Sequence, residues 1–220
     1  SYKVTYKTKK KRGVYSFCMC PGGYVVNASS EEGHLVVNGM SNHARESENA
    51  NSAIVVTVGP EDFGSSPLDG VKYQRNLESM AYRIGNGKIP VQLWKDFKAN
   101  KVSTAFGSVH PCFKGDYVFT NLKESFPKFL SESLEEAIPA FAKKIKGFDM
   151  EDMLVAGIES RTSSPVRLNR DEDCVSNFEG VYPCGEGAGY AGGITTAAMD
   201  GIKVAEKIIG VYAPLQKKSS

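Results

Sequence analysis

The sequence predicts a mixed α+β fold: an antiparallel β-rich part over about residues 1–150, a strand-loop-helix unit over 151–212, and a disordered tail over 213–220. Three observations predict it. Runs rich in β-branched residues, separated by turn residues, crowd the first third of the chain. Apolar residues recur at three- and four-residue spacing over 126–145. A glycine-rich segment around Gly185–Gly193 then opens into a last apolar helix.

The elements follow in order. Tyr2 to Tyr6 alternates like a strand, and the chain opens on Ser, so we expect it to begin inside a longer protein. Lys9-Lys10-Lys11-Arg12 has no aromatic interleaving, which favours a solvated strand edge over a nucleic-acid tail. Tyr24–Ala28 and His34–Asn38, joined through Glu31-Glu32-Gly33, read as a hairpin, and Ala53–Val58 as a third strand stopped by Gly59-Pro60. A helix follows Asp69-Gly70, with Leu77, Met80, Ala81 and Ile84 on one face and Gly85 at its C-terminal cap. Pro90–Phe97 is too short to assign. A long helix starts at Ser125-Phe126-Pro127 and buries Phe129, Leu130, Leu134, Ala137, Ile138, Phe141 and Ile145 as plain core. Pro139 should kink or split it, and Gly147 should end it. The last helix spans about Gly193–Ile209, with Ile194, Ala197, Ala198, Gly201, Ile202, Ala205, Ile208 and Ile209 on one stripe and Gly210 as its stop. The weakest join, at Gly147–Val155, marks the domain boundary.

Composition excludes more than it selects. Hydrophobic content of 41% and charged content of 24% are those of a globular chain, and a net charge of +2 favours no class of partner, nucleic acid included. No run of 18 apolar residues predicts a membrane span, and no secretory leader is visible. Five cysteines without framework spacing are expected as reduced thiols in a cytoplasm.

Four segments carry candidate chemistry. The first is Gly185-Glu186-Gly187-Ala188-Gly189-Tyr190-Ala191-Gly192-Gly193-Ile194. Main chain this bare lets a large flat or phosphorylated ligand approach, and a helix starting there points free N–H groups at an anion. Glu186 suits ligand hydroxyls or a nearby backbone. The second is Cys18-Met19-Cys20-Pro21-Gly22-Gly23. It reads as buried cysteines shaping a cofactor-facing loop, with a redox thiol or a metal as alternatives; His34, His43, Cys174 and Cys184 lack the paired spacing a metal needs. The third comprises Asn38-Gly39-Met40-Ser41 and Asn49-Ala50-Asn51-Ser52 with Arg45 between them: a carboxylate-binding loop or a loop satisfied by its own amides. The fourth, Glu159–Arg167, places Arg161 in a site wall or in a surface ion pair. His110-Pro111-Cys112 reads as structural.

Gly13–Gly23, Asn38–Ser41, Asn49–Ala53, Arg161–Pro165 and Pro183–Ile194 together resemble the bacterial FAD-dependent proteins labelled NAD(FAD)-utilising dehydrogenases, over about Gly13–Glu206. The resemblance implies a larger flavoprotein whose N-terminal region holds the ADP half of FAD on a Rossmann fold. This chain then corresponds to an inserted substrate or cap domain plus the C-terminal return of the FAD-binding domain. The same resemblance puts Glu186 near the ribityl–pyrophosphate region, with Gly185 and Gly187 beside it. It puts Gly192, Gly193 and Ile194 at the pyrimidine edge, and Cys18, Cys20, Pro21, Gly22 and Gly23 near the ring. Asn38, Arg45, Asn51 and Arg161 become the substrate candidates; no catalytic base and no metal ligand stand out. The N-terminal fingerprint is missing, so weak or absent flavin retention by this chain alone is expected. A non-catalytic interaction module and a thiol-based metal protein are the other function classes.

Overall fold

The computed structural model describes residues 4–212. It is a mixed α+β protein that divides into two compact units: residues up to 65 with 72–160, and 66–71 with 161 onward.

Among the described residues, the strands all lie in the first unit. β1 (Thr5–Lys7), β2 (Gly13–Cys20) and β5 (Asn51–Val56) form an antiparallel sheet in the order β1-β2-β5. β3 (Gly23–Asn27) and β4 (Val37–Ser41) form the expected hairpin, with Val25 opposite Gly39. The second strand starts three residues later than the sequence suggests: Leu35 N donates to Glu78 O at 3.0 Å and Val36 N to the Ser29 hydroxyl at 3.1 Å, so neither amide joins the ladder. β7 (Phe113–Lys114) joins β3 in parallel. The third sheet is β8-β6-β9, built from β6 (Ile89–Leu93), β8 (Tyr117–Phe119) and β9 (Leu154–Ala156).

β6 occupies the stretch the sequence leaves unassigned. Every one of its residues is buried. Pro90 has no N–H to give a ladder, which hides a central strand from pattern reading; its carbonyl still accepts from Gly157 N at 3.2 Å. Gln92 is buried at no cost in pairing: its Nε2 donates to Lys101 O at 2.7 Å and its Oε1 accepts from Leu122 N at 3.1 Å. The strand runs directly into α3 (Trp94–Lys98), whose Trp94 and Phe97 stack at 5.5 Å.

The helices need three corrections. α1 (Pro60–Phe63) is a single turn not expected from the sequence. α2 (Asp69–Gly85) buries Leu77 and Ala81 but exposes Met80. Gly85 is its final helical residue; Asn86, at φ 48°, takes the left-handed position, and Gly87 N donates back to Tyr82 O at 2.9 Å. α4 (Lys128–Ala142) runs unbroken through Pro139, which sits in the last turn where only one helical hydrogen bond is lost. It ends before Ile145, which is exposed.

Three apolar clusters hold this unit. Val4, Val14, Ala137 and Phe141 form one; Trp94, Phe97, Leu122 and Ile138 another; α4 feeds both. Leu35, Val37, Ala81, Ile89 and Val91 form the third. The basic run is tied down, as an edge should be: Lys10 reaches Glu132 at 2.8 Å, and Arg12 forks onto Asp62 at 2.7 and 2.5 Å.

In the second unit, Val181 and Tyr182, the apolar approach to the glycine-rich segment, form no strand. The last strand before the C-terminal helix is β9, and a long irregular segment leads to α5 (Ile194–Val211). Gly210 lies within this helix rather than stopping it. The expected tail at 213–220 falls outside the described residues. Among the described residues, no helix is long and apolar enough to cross a membrane.

Candidate functional site

In the first unit, β2 begins as a regular strand with Val14 and Ser16 facing inward. Continued alternation would bury Cys18 and Cys20, and hence the expectation of buried thiols. The structure places Cys18 in solvent instead and leaves Cys20 half-buried. The cause is a bulge: Phe17 pairs with Ala53, yet Cys20 pairs with Asn51, so β2 holds one extra residue there. Cys18 absorbs it at φ 46°.

The Pro21–Gly23 turn that follows is clamped by backbone. A Cβ on Gly22 would collide with the Arg45 carbonyl, and one on Gly23 with the Met40 carbonyl. Gly23 N donates to Asn49 O at 3.1 Å. The three motif segments of the first unit therefore converge on one turn. Asn51, opposite Cys20, lays its carboxamide where a Gly39 side chain would be. Both polar atoms of that carboxamide are buried without a partner. Arg45 is exposed, held at φ 54° with its carbonyl against Gly22. Asn38 shares its strand face with exposed Met40, and so points away from the Gly39–Asn51 contact. The sequence reading does not anticipate His110 at this edge: Asn49 Nδ2 donates to His110 O at 2.5 Å, and His110 Nδ1 lies 3.4 Å from Glu48.

In the second unit, the glycine segment closes on itself. Gly189 N donates to Glu186 O at 2.9 Å and Tyr190 N to Gly185 O at 3.0 Å. Gly185 and Gly189, at φ 69° and 82°, hold the left-handed backbone this turn requires. Gly187, Gly192 and Gly193 have nothing of the surrounding chain packed on them; only the Thr196 hydroxyl comes near Gly193, at 3.8 Å. The bend is thus open rather than buried beneath side chains. Gly193 starts α5 without a side-chain cap. Ile194 is 90% exposed. Glu186 is half-buried, Gly187 exposed, and Ala188 anchors the turn inward.

One ion pair pins this arrangement. Arg170 donates to Asp200 at 3.0 and 2.6 Å and to Pro183 O at 2.7 Å, and Gly185 N donates to Asp200 at 2.8 Å. The Arg170 guanidinium, with help from the Gly185 amide, holds the Asp200 carboxyl down at about 2. Desolvation and the Asp200 charge raise the Cys184 thiol, keeping it protonated at neutral pH. Sequence reasoning missed this pair. The available signal was Asp200 itself, a lone charge among Ala197, Gly201 and Val204. Val204 is the one fully buried residue of α5, so the packed face is centred there. The rest of the expected stripe is uncovered, with Ile202 62% and Ile209 75% exposed. Arg161 begins the longer of the second unit's two stretches.

Among the described residues, no three His, Cys, Asp or Glu side chains come together as metal ligands.

Residues 1–162 match the family described as FAD-dependent protein, C-terminal domain-like. The chain belongs to this family. An uncharacterized protein of Clostridium beijerinckii is 60% identical over 213 residues, covering 94% of this chain and 40% of that protein. The chain therefore spans less than half the length of this relative. The family match ends within two residues of Ser160, where the first compact unit ends. The family's C-terminal domain and the unit with the three apolar clusters thus coincide, and the glycine turn lies beyond both.

Proposed function

We propose that this chain is the C-terminal part of a flavin-dependent oxidoreductase, a dehydrogenase, in which about residues 1–150 form the substrate or cap domain and 151–212 the flavin-edge half of an FAD site. The observation that carries the reading is the open glycine turn ahead of an uncapped helix, in a chain of an FAD-dependent family.

The residues fit the group. Gly187 and Gly192 leave room for a planar or phosphorylated ligand against bare backbone, and the Ile194 end of α5 presents unpaired N–H groups and a positive dipole. Gly185, Glu186 and Gly187 would hold the ribityl–pyrophosphate region, and Gly192, Gly193 and Ile194 the pyrimidine edge. When bound, the flavin supplies hydride acceptance, with the electrons then leaving to a second substrate. The chain's own residues orient and exclude water. Asp200 fixes Gly185 and so sets the turn. The turn holding Cys18, Cys20, Pro21, Gly22 and Gly23 approaches the ring. Arg45, exposed on that turn, is the first unit's substrate-anchor candidate.

The uncovered side of α5 finds its cover in the remainder of the parent protein, the N-terminal FAD-binding region. That region also supplies the phosphate-binding helix this chain lacks. A cytoplasmic setting suits five cysteines outside any disulfide.

Flavin titration followed by fluorescence tests the reading. The full-length protein should bind FAD stoichiometrically and the 220-residue chain weakly or not at all. A full-length protein indifferent to FAD would refute the assignment. Stoichiometric flavin absorbance in the isolated chain would refute the half-site.

A further inference from the structure

Arg167 is a cation of the second unit whose printed partner is an aromatic ring rather than a carboxylate. Its guanidinium carbon lies over the Tyr190 ring, 4.3 Å from the ring centre. Arg170 lies over the same ring at 3.6 Å, but that charge is consumed by Asp200 at side-chain exposures of 6% and 11%. Among the described residues, no carboxylate pairs with Arg167, and its side chain is in solvent.

The platform beneath it is fixed from three sides. Tyr190 Oη donates to Leu168 O at 2.8 Å, its backbone N–H closes the glycine turn, and Arg170 packs on the ring. The Arg167 backbone is itself part of the turn's wall. A Cβ on Gly189 would sit 3.0 Å from the Arg167 Cα, and Leu168 N donates to Ala188 O at 3.1 Å. An arginine stacked on an aromatic ring keeps its N–H fork free while losing little further freedom on binding. A charge displayed this way, on a residue packed against the glycine turn, suits an oxyanion that can take two N–H donors.

We propose that Arg167, carried on Tyr190, is a phosphate-binding residue for the ligand that seats on the Gly185–Tyr190 turn. The inference rests on the flavin reading above and deepens it: the group recognised is a phosphate of the dinucleotide.

Arg167→Gln and Arg167→Lys in the full-length protein test it, with FAD titrated into the apoprotein at several salt concentrations. Arg167→Gln should weaken FAD binding at least about tenfold, the scale of a charge-assisted hydrogen bond. It should also flatten the salt dependence, while the apoprotein melts as the wild type does. Arg167→Lys, a point charge without the fork, should recover part of the affinity and the salt slope. FAD affinity unchanged in Arg167→Gln overturns the inference while leaving the flavin reading intact. Affinity lost together with apoprotein melting, or lost with the salt slope unaltered, assigns Arg167 to structural support and overturns it too. A wild-type protein that binds no FAD overturns the flavin reading and the inference with it.

Discussion

The first unit buries Trp94, Phe97, Phe141, Leu35 and Ile89 to completion, in three clusters fed by strands and helices alike. Among its described apolar residues, the second unit buries Cys174, Pro183, Ala188 and Val204, and leaves Phe178, Ile194, Met199, Ile202 and Ile209 in solvent. What holds the second unit is polar: the Arg170–Asp200 fork, the Gly185 amide and the self-closed glycine turn. Apolar burial is the dominant stabilising term for a domain, whereas single hydrogen bonds contribute about 1 kcal/mol each. One unit therefore has the means to fold on its own, and the other leaves most of its large apolar side chains in solvent.

That contrast can be broken in graded steps. Trp94→Ala should cost roughly 3–5 kcal/mol, as truncation of a fully buried aromatic does, and should lower the main melting transition of the 220-residue chain. A small shift would mean that the first unit's core is not what stabilises the chain. Asp200→Asn should cost about 3 kcal/mol, because it strands the Arg170 charge, and should loosen only the second unit. Hydrogen exchange should rise across residues 183–200 and stay unchanged in β2 and β6. Acid gives the same result without mutation. The folded carboxyl titrates at about 2, below its ordinary 3.8, so its stabilisation is full above pH 4 and lost as pH falls toward 2. Protection at Gly185 that persists below pH 2 would contradict this. The smallest effect belongs to Ile202→Ser. At 62% exposure it should change the chain's stability by less than about 0.5 kcal/mol, yet impair association with the rest of the parent protein. A loss of several degrees in the isolated chain would show that the α5 face is already packed.

The helices at 69–85, 128–142 and 194–211 were legible because apolar spacing survives in them for several turns. The hairpin was legible from its β-branched runs and intervening turn. β6 was not, since a proline in a central strand runs against the pattern and its partners β8 and β9 lie 28 and 65 residues away in register (Ile89 to Tyr117, Val91 to Ala156). Its burial is a tertiary fact. In the candidate site, the bare backbone around Gly187 could be read from composition alone, because an absent side chain needs no partner to be recognised. The Arg170–Asp200 pair spans 30 residues, and nothing local announces it. The convergence of Cys20, Gly39 and Asn51 likewise depends on which strands pair. For α5, periodicity identified an apolar stripe but could not say which part of it this chain covers.

The bulge at Cys18 works as a phase slip in β2. Upstream of it Val14 and Ser16 keep the inward beat of the pleat; at the slip the next thiol is thrown to the outside. Deleting a single residue between Phe17 and Cys20 would restore an uninterrupted beat and turn sulfur toward the interior, leaving the ladder intact but reversing which chemistry the strand presents.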